Sequence, residues 1–260
     1  MSSTKITEDR NDQSRIGLTL PIQDGGLFKH SASGPILNFL SDNPEINVSI
    51  RQLASVTGVS ERATRDAIDV LAVNDLIETF HEGNARRVQI NRKQLTRPAD
   101  PINRIPQPTF RTPVRVAYQY LTTQLTDIRG IVLFGSTATG TADRQSDIDL
   151  WTLVGSDHMQ QRHEANKLAK RLSEIPIPQT IPITEPETGG FESNWEELKE
   201  QLESGEWSGD RYSFDIIVET PQSIISQSSR VDPEQLFAGG ITLLSTEVLE
   251  QVKMEVISNE

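Results

Sequence analysis

Gly130 to Val154, reading GIVLFGSTATGTADRQSDIDLWTLV, constrains this chain more than any other stretch. Ile131 to Phe134 is a short, β-branched-rich apolar run bounded by glycines, the pattern of a buried strand. Gly135 lets backbone come close to a ligand, and Ser136 can open a helix whose free N–H groups suit an anion. Ile148 to Val154 reads as a second strand. Side chains two apart on a strand share a face, so Asp147 and Asp149 project together while Ile148 and Leu150 face the other way. An ordinary acidic turn before a strand does not explain two carboxylates on one face of an apolar run. Such a pair beside a phosphate-cradling turn is what a divalent metal and a nucleoside triphosphate require.

A further acidic residue, Asp215, interrupts the strand-like run Tyr212 to Val218, YSFDIIV. A charge inside such a run is costly unless it is paired or bound to a metal. The other reading is an edge-strand aspartate facing solvent.

The strand, Gly135-Ser136, the spacer Thr137 to Ser146 and the strand with Asp147 and Asp149 together resemble the nucleotidyltransferase fold of the DNA polymerase β superfamily, especially its small prokaryotic and archaeal members. The resemblance implies a catalytic domain with a mixed sheet. It implies that Asp147, Asp149 and Asp215 hold two Mg2+ ions, that Asp215 also activates the attacking hydroxyl, and that Gly135 and Ser136 hold the triphosphate of an NTP. Many small members carry arginine in the turn, as Gly-Ser-x-Ala-Arg-Gly, whereas this chain has Thr139 between Ala138 and Gly140. A fixed cation near the phosphates would have to come from Arg144 or Arg129.

A chain of 260 residues can hold one large or two small domains with their own cores. A net charge of −12 argues against broad attraction to nucleic acid or to an anionic membrane. Lysine is scarce, with 7 against 18 arginines, and with the high acid content this looks like adaptation to a salt-rich, halophilic cytoplasm; a mildly acidic mesophilic protein is the other reading. The absence of cysteine excludes disulfides, thiol chemistry and cysteine-based zinc sites. No apolar stretch nears the roughly 18 residues that span a bilayer, and the start of the chain is polar. The expectation is a soluble cytoplasmic protein with no membrane partner.

Residues 1–15 lack apolar periodicity and read as a disordered tail. Residues 16–97 have a helical rhythm. Ile36, Leu37, Phe39 and Leu40 give a first amphipathic helix. Ser49-Ile50-Arg51-Gln52 is a capping-box start, and Ser60 is the N-cap of a third helix with Ala63, Ala67, Ile68 and Leu71 inward. Leu76 to Phe80 and Arg87 to Ile90 read as a hairpin about Gly83-Asn84. Three helices followed by a hairpin resemble the winged helix-turn-helix of prokaryotic transcriptional regulators. Residues 31–97 carry 8 basic and 8 acidic side chains, so the negative charge lies elsewhere. Arg62 and Arg65 on the presumed recognition helix, with Arg86, Arg87 and Arg92 on and after the wing, are the candidate contacts to duplex DNA. Glu61, Asp66 and Asp69 crowd the same helix, and winged helices also serve as protein-interaction modules.

Residues 98–112 are proline-rich and read as a semi-rigid linker. Residues 113–260 read as the catalytic domain, opening on a helix with Val114, Ala117, Tyr118, Leu121 and Leu125 inward. Ile175 to Gly190 reads as a loop over the site, Trp195, Leu198 and Leu202 as a helix stripe, and Val248, Leu249, Val252 and Val256 as the face of a final helix. The fold expected is α+β, a winged helix-turn-helix followed by a polymerase-β-like domain. The function expected is metal-dependent transfer of a nucleoside monophosphate from an NTP to a protein or nucleic-acid hydroxyl. The alternative is a DNA-binding regulator or antitoxin-like module, paired with a toxin or other protein partner, whose nucleotidyltransferase fold only senses nucleotide.

Overall fold

The structure, a computed structural model, describes residues 17–22, 24–96, 99–181, 191, 194–205, 207–226 and 229–258. The tail expected over 1–15 and most of the loop expected over 175–190 lie outside them.

The N-terminal part begins with α1 (Ser33–Asp42), a short strand β1 (Val48–Ser49) and α2 (Ile50–Val56). Ser49 caps α2 through a full capping box, its side chain accepting from Gln52 N while Gln52 bonds back to Ser49 N. Ser60 caps α3 (Glu61–Val73) by accepting from Ala63 N. A hairpin follows, β2 (Ile77–Glu82) and β3 (Ala85–Ile90), turning at Gly83, whose φ of 58° suits glycine. These strands form an antiparallel sheet in the order β1-β3-β2. Ile36, Phe39, Leu40, Leu53, Ala67, Ile68, Leu71 and Val88 fill the core between helices and sheet.

The remainder is built on a four-stranded mixed sheet. Helix α4 (Arg111–Gln124) leads into β4 (Ile128–Phe134), the short helix α5 (Gly135–Thr139), β5 (Asp147–Val154) and α6 (His158–Glu174). Then come α7 (Trp195–Ser204), β6 (Ser213–Glu219), α8 (Pro221–Ile225), α9 (Pro233–Gly239), β7 (Ile241–Leu244) and α10 (Glu247–Ser258). The strand order is β6-β5-β4-β7, with β5 and β6 parallel and the other pairs antiparallel. Alternation divides each strand between two cores. Ile148, Leu150, Phe214 and Ile216 face α4, α6 and α7, whereas Val132, Trp151, Leu153 and Ile217 face α8, α9 and α10.

Three expectations differ from the structure. The proline-rich stretch is not a free spacer: Ile102, Ile105 and Phe110 alternate with its prolines and are buried in the core beneath α4. In α4, Tyr120 rather than Tyr118 is fully buried, its hydroxyl donating to Glu203 at 2.6 Å and its ring meeting Trp195 edge-on. In α10, Leu249, Val252, Lys253 and Ile257 are buried, and Ile257 enters the N-terminal core.

Ile257 is one of several ties between the two parts. Ser55 Oγ on α2 donates to Glu234 on α9 at 3.2 Å. Asp42, at the end of α1, accepts from Thr242 Oγ1 on β7 at 2.7 Å and pairs with Arg104. Lys253 Nζ on α10 donates to the same Thr242 oxygen at 2.9 Å. The side chains of Asp42, Arg104 and Lys253 are 5%, 10% and 1% exposed, so this is a buried polar node.

Candidate active site

Three elements converge at one edge of the mixed sheet. Phe134 ends β4 opposite Asp149 of β5, because the two strands are antiparallel. The chain then turns at Gly135, with φ of 69°, into α5, whose N-cap Phe134 offers no side-chain bond to the free N–H groups. A Cβ on Gly135 would overlap the Asp149 carboxylate, so the turn and that side chain are packed as closely as glycine allows.

The parallel pairing of β5 and β6 sets Asp147 beside Ser213 and Asp149 directly beside Asp215. Directly paired residues on neighbouring strands point to the same face. Asp147, Asp149 and Asp215 therefore share one face of the sheet, the face that Trp151 and Ile217 continue under α8, α9 and α10. At the carboxylates this face is open: Asp147 and Asp215 are exposed and Asp149 is half-buried. β6 is one of the two edge strands of the sheet.

The Asp149 carboxyl is pushed up to about 6, first by burial, then by the negative charges of Asp215 and Asp147. Its ionised form is thus disfavoured in the folded chain, and the sign of the consequence follows. Between the ordinary carboxylate range and about pH 6 the native state binds the extra proton, so stability from this group falls as pH rises. Asp149→Asn, measured in EDTA, is expected to melt above the wild type at pH 7 and to lose that advantage by about pH 4. An advantage independent of pH would contradict the crowding of the three carboxylates.

Among the described residues, no group of three His, Cys, Asp or Glu side chains can hold a metal ion by itself. The donor set still fits magnesium, which prefers hard oxygen ligands and is commonly bound by one or two carboxylates together with water and substrate phosphate. The carboxylate charge that raises Asp149 is what a cation would neutralise.

A cleft of about 480 Å³ opens beside the turn, lined by Phe134, Gly135, Ser136 and Thr139 on one side and Asp232, Gln235, Leu236 and Gly239 on the other. Thr139 is spent locally, its hydroxyl lying 3.2 Å from Gly135 O and 3.1 Å from Thr141 Oγ1. Arg129 cannot serve as the phosphate cation. It lies at the start of β4, five residues and roughly 16 Å along the strand from Phe134, and pairs with Asp127. Arg144, in the loop before β5, stays at the carboxylate end. The wall supplied by α9 escaped the sequence reading. Asp232-Pro233 was its signal, an N-cap with proline at the first helical position, and Asp232 accepts from Glu234 N and Gln235 N.

The candidate DNA contacts are scattered over the N-terminal part. Arg62 and Arg65 are exposed on α3, and Arg86 and Arg87 lie on β3. Arg65 pairs with Glu61, Arg86 with Asp69 at 2.7 Å, Arg87 with Glu82 at 2.8 Å and Arg92 with Glu45 at 2.7 Å. Each of these pairs is partly exposed and contributes little, about 0–1 kcal/mol, so phosphate can compete for the guanidinium.

Residues 118–201 match the family model described as polymerase beta, nucleotidyltransferase. That span runs from within α4 through β4, the Gly-Ser turn and both β5 aspartates to α7, and it supports the polymerase β superfamily and a nucleotidyltransferase-type function. β6 with Asp215 lies beyond it. No curated protein matches the chain. No solved structure matches it. No helix among the described residues is long and apolar enough to cross a membrane.

Proposed function

We propose that this chain is a metal-dependent nucleotidyltransferase that moves a nucleoside monophosphate from an NTP to a hydroxyl. The observation that carries the proposal is the register that sets Asp149 beside Asp215, two residues along from Asp147, against the Gly135 turn. Asp147, Asp149 and Asp215 would hold magnesium, two ions in the reading from the family resemblance. Bound there, magnesium would neutralise phosphate charge and polarise the reacting phosphoryl group. The N–H groups at the start of α5 would cradle phosphate oxygens beside Ser136. Asp215, exposed on an edge strand, would take the proton of the acceptor hydroxyl as the hydroxyl oxygen bonds the α-phosphorus and the bond to pyrophosphate breaks. Incubation with each α-labelled NTP and magnesium, with and without cell extract, tests this. Label on the chain or on an extract component supports it; no transfer from any NTP contradicts it.

We read the N-terminal part, from its helix order and three-stranded sheet, as a winged helix-turn-helix that binds duplex DNA. Arg86→Ala with Arg87→Ala is expected to weaken binding to all duplex sequences alike and to lower the salt slope by about two. Equal binding by the double variant in a salt titration would remove the wing from the interface. A regulator or antitoxin-like module with a non-catalytic, nucleotide-sensing domain is the second reading, favoured by Thr139 at the position where many small superfamily members carry arginine.

A further inference from the structure

Glu219 ends β6 on the face that carries Asp215 and Ile217, yet it is only 1% exposed, and no cation pairs with it among the described residues. A carboxylate buried beside Trp151 and Leu153 is costly unless donors meet it. Three do. Trp151 Nε1 donates to Oε2 at 2.9 Å, Ser229 Oγ donates to the same oxygen at 2.8 Å, and Arg230 N donates to Oε1 at 2.6 Å. Ser229 Oγ in turn accepts from Val231 N at 3.3 Å. A residue needed only to fill this space would be apolar, because an apolar side chain avoids the cost of desolvating a charge. Glu219 instead ties a loop to the sheet.

That loop leads straight into one wall of the cleft beside the Gly135 turn. Val231 and Asp232 line the cleft, Asp232 caps α9, and Gln235, Leu236 and Gly239 of α9 continue the wall. The same carboxylate acts on α9 from below. Trp151, oriented by its bond to Glu219, meets Phe237 of α9 edge-on with ring centroids 5.8 Å apart. We infer that Glu219 is a positioning residue for the nucleoside part of the NTP: held to the loop before α9 and to Trp151 beneath it, it sets the spacing between the α9 wall and the Gly135 turn. The inference rests on the transferase reading. In that reading the triphosphate takes the N–H groups of α5 and the carboxylates, which leaves the cleft of about 480 Å³ for sugar and base, a volume usual for a small-molecule site. The α9 wall then touches the nucleoside and not the reacting phosphorus. Contacts of that kind are as strong in the ground state as in the transition state, so their loss raises KM and spares kcat.

The test is Glu219→Gln, which keeps the shape but turns one acceptor oxygen into a donor facing donors. Ser229→Ala is the milder variant and removes one tie from the loop side. Steady-state transfer is expected to show KM for the NTP raised at least about tenfold in Glu219→Gln and by less in Ser229→Ala, with kcat within about threefold of the wild type. Amide hydrogen exchange over 229–239 should be faster in both variants. Tyr120→Phe, which removes a buried hydrogen bond on the opposite side of the sheet, should lower the melting temperature and leave KM unchanged, so lost stability alone does not mimic the effect. An unchanged KM or unchanged exchange in folded Glu219→Gln, or a kcat that falls about tenfold with it, overturns the inference. If Glu219→Gln does not fold, Ser229→Ala decides by the same readouts. If the wild type transfers nothing, Kd for a non-transferable NTP analogue with magnesium replaces KM. Absent transfer beside analogue binding that weakens in Glu219→Gln would refute the catalytic reading and leave the role of Glu219 standing, and a wild type that binds no analogue overturns both.

Discussion

Replacing Asp149 with alanine is expected to lower nucleotidyl transfer by at least about a thousandfold without unfolding the chain. A metal ion at a phosphoryl-transfer centre contributes several kcal/mol of charge stabilisation, and each 1.4 kcal/mol or so is a factor of ten. Asp149 stands between Phe134 of β4 and Asp215 of β6, so its loss empties the centre of the cluster. Asp147→Ala is expected to act in the same direction. Gly135→Ala should approach the same loss by another route, because its Cβ would drive into the Asp149 carboxylate at a φ of 69°. Single-turnover transfer with saturating NTP is the measurement, with melting temperature as the control for folding. Full activity in both aspartate variants would move the active site elsewhere.

Asp42→Ala is expected to destabilise the chain by about 3–5 kcal/mol, a large share of an ordinary domain's stability. Burial alone would push the Asp42 carboxyl up, but Arg104, Lys253 and the Thr242 hydroxyl together hold it below the usual carboxylate range. Removing it leaves the Arg104 guanidinium buried without its anion and takes a nearby negative charge from Lys253, whose ion pair is then Glu250 at 3.4 Å. Because the carboxyl is depressed, this contribution is present at neutral pH and is lost as pH falls below the ordinary carboxylate range. The node joins α1, the segment before α4, β7 and α10, so its loss should also loosen the N-terminal part from the mixed sheet. Urea denaturation at pH 7 and at about pH 2.5 checks both points: the wild-type advantage over Asp42→Ala should shrink at the lower pH. A variant as stable as the wild type would mean that the node is solvated and idle.

The strand–turn–strand motif was legible because each of its parts is local. Two-residue alternation puts Asp147 and Asp149 on one face without reference to the rest of the chain. Local pattern read Asp215 only as a charge in a strand; it was the family resemblance that set it with Asp147 and Asp149. That pairing depends on a register across 66 residues, which no local pattern encodes. The proline-rich stretch misled in the opposite sense. Its prolines suggested a spacer, while the apolar residues between them, Ile102, Ile105 and Phe110, were the signal of packing. In the last helix, Leu249, Lys253 and Ile257 recur every four residues on the buried side. The lysine on that stripe was passed over because Thr242, which accepts from it, lies on a strand, and Asp42, which accepts from Thr242, lies at the end of a helix 200 residues before that threonine.

The central claim is that the Gly135 turn and the three carboxylates form one magnesium–nucleotide site. Titration calorimetry of the full chain with a non-transferable NTP analogue tests it most directly. The account predicts binding that requires magnesium, is abolished by EDTA, and is lost in both Asp147→Ala and Asp149→Ala while Arg86→Ala with Arg87→Ala binds as the wild type does. Binding that is indifferent to EDTA, or retained by both aspartate variants, would contradict it.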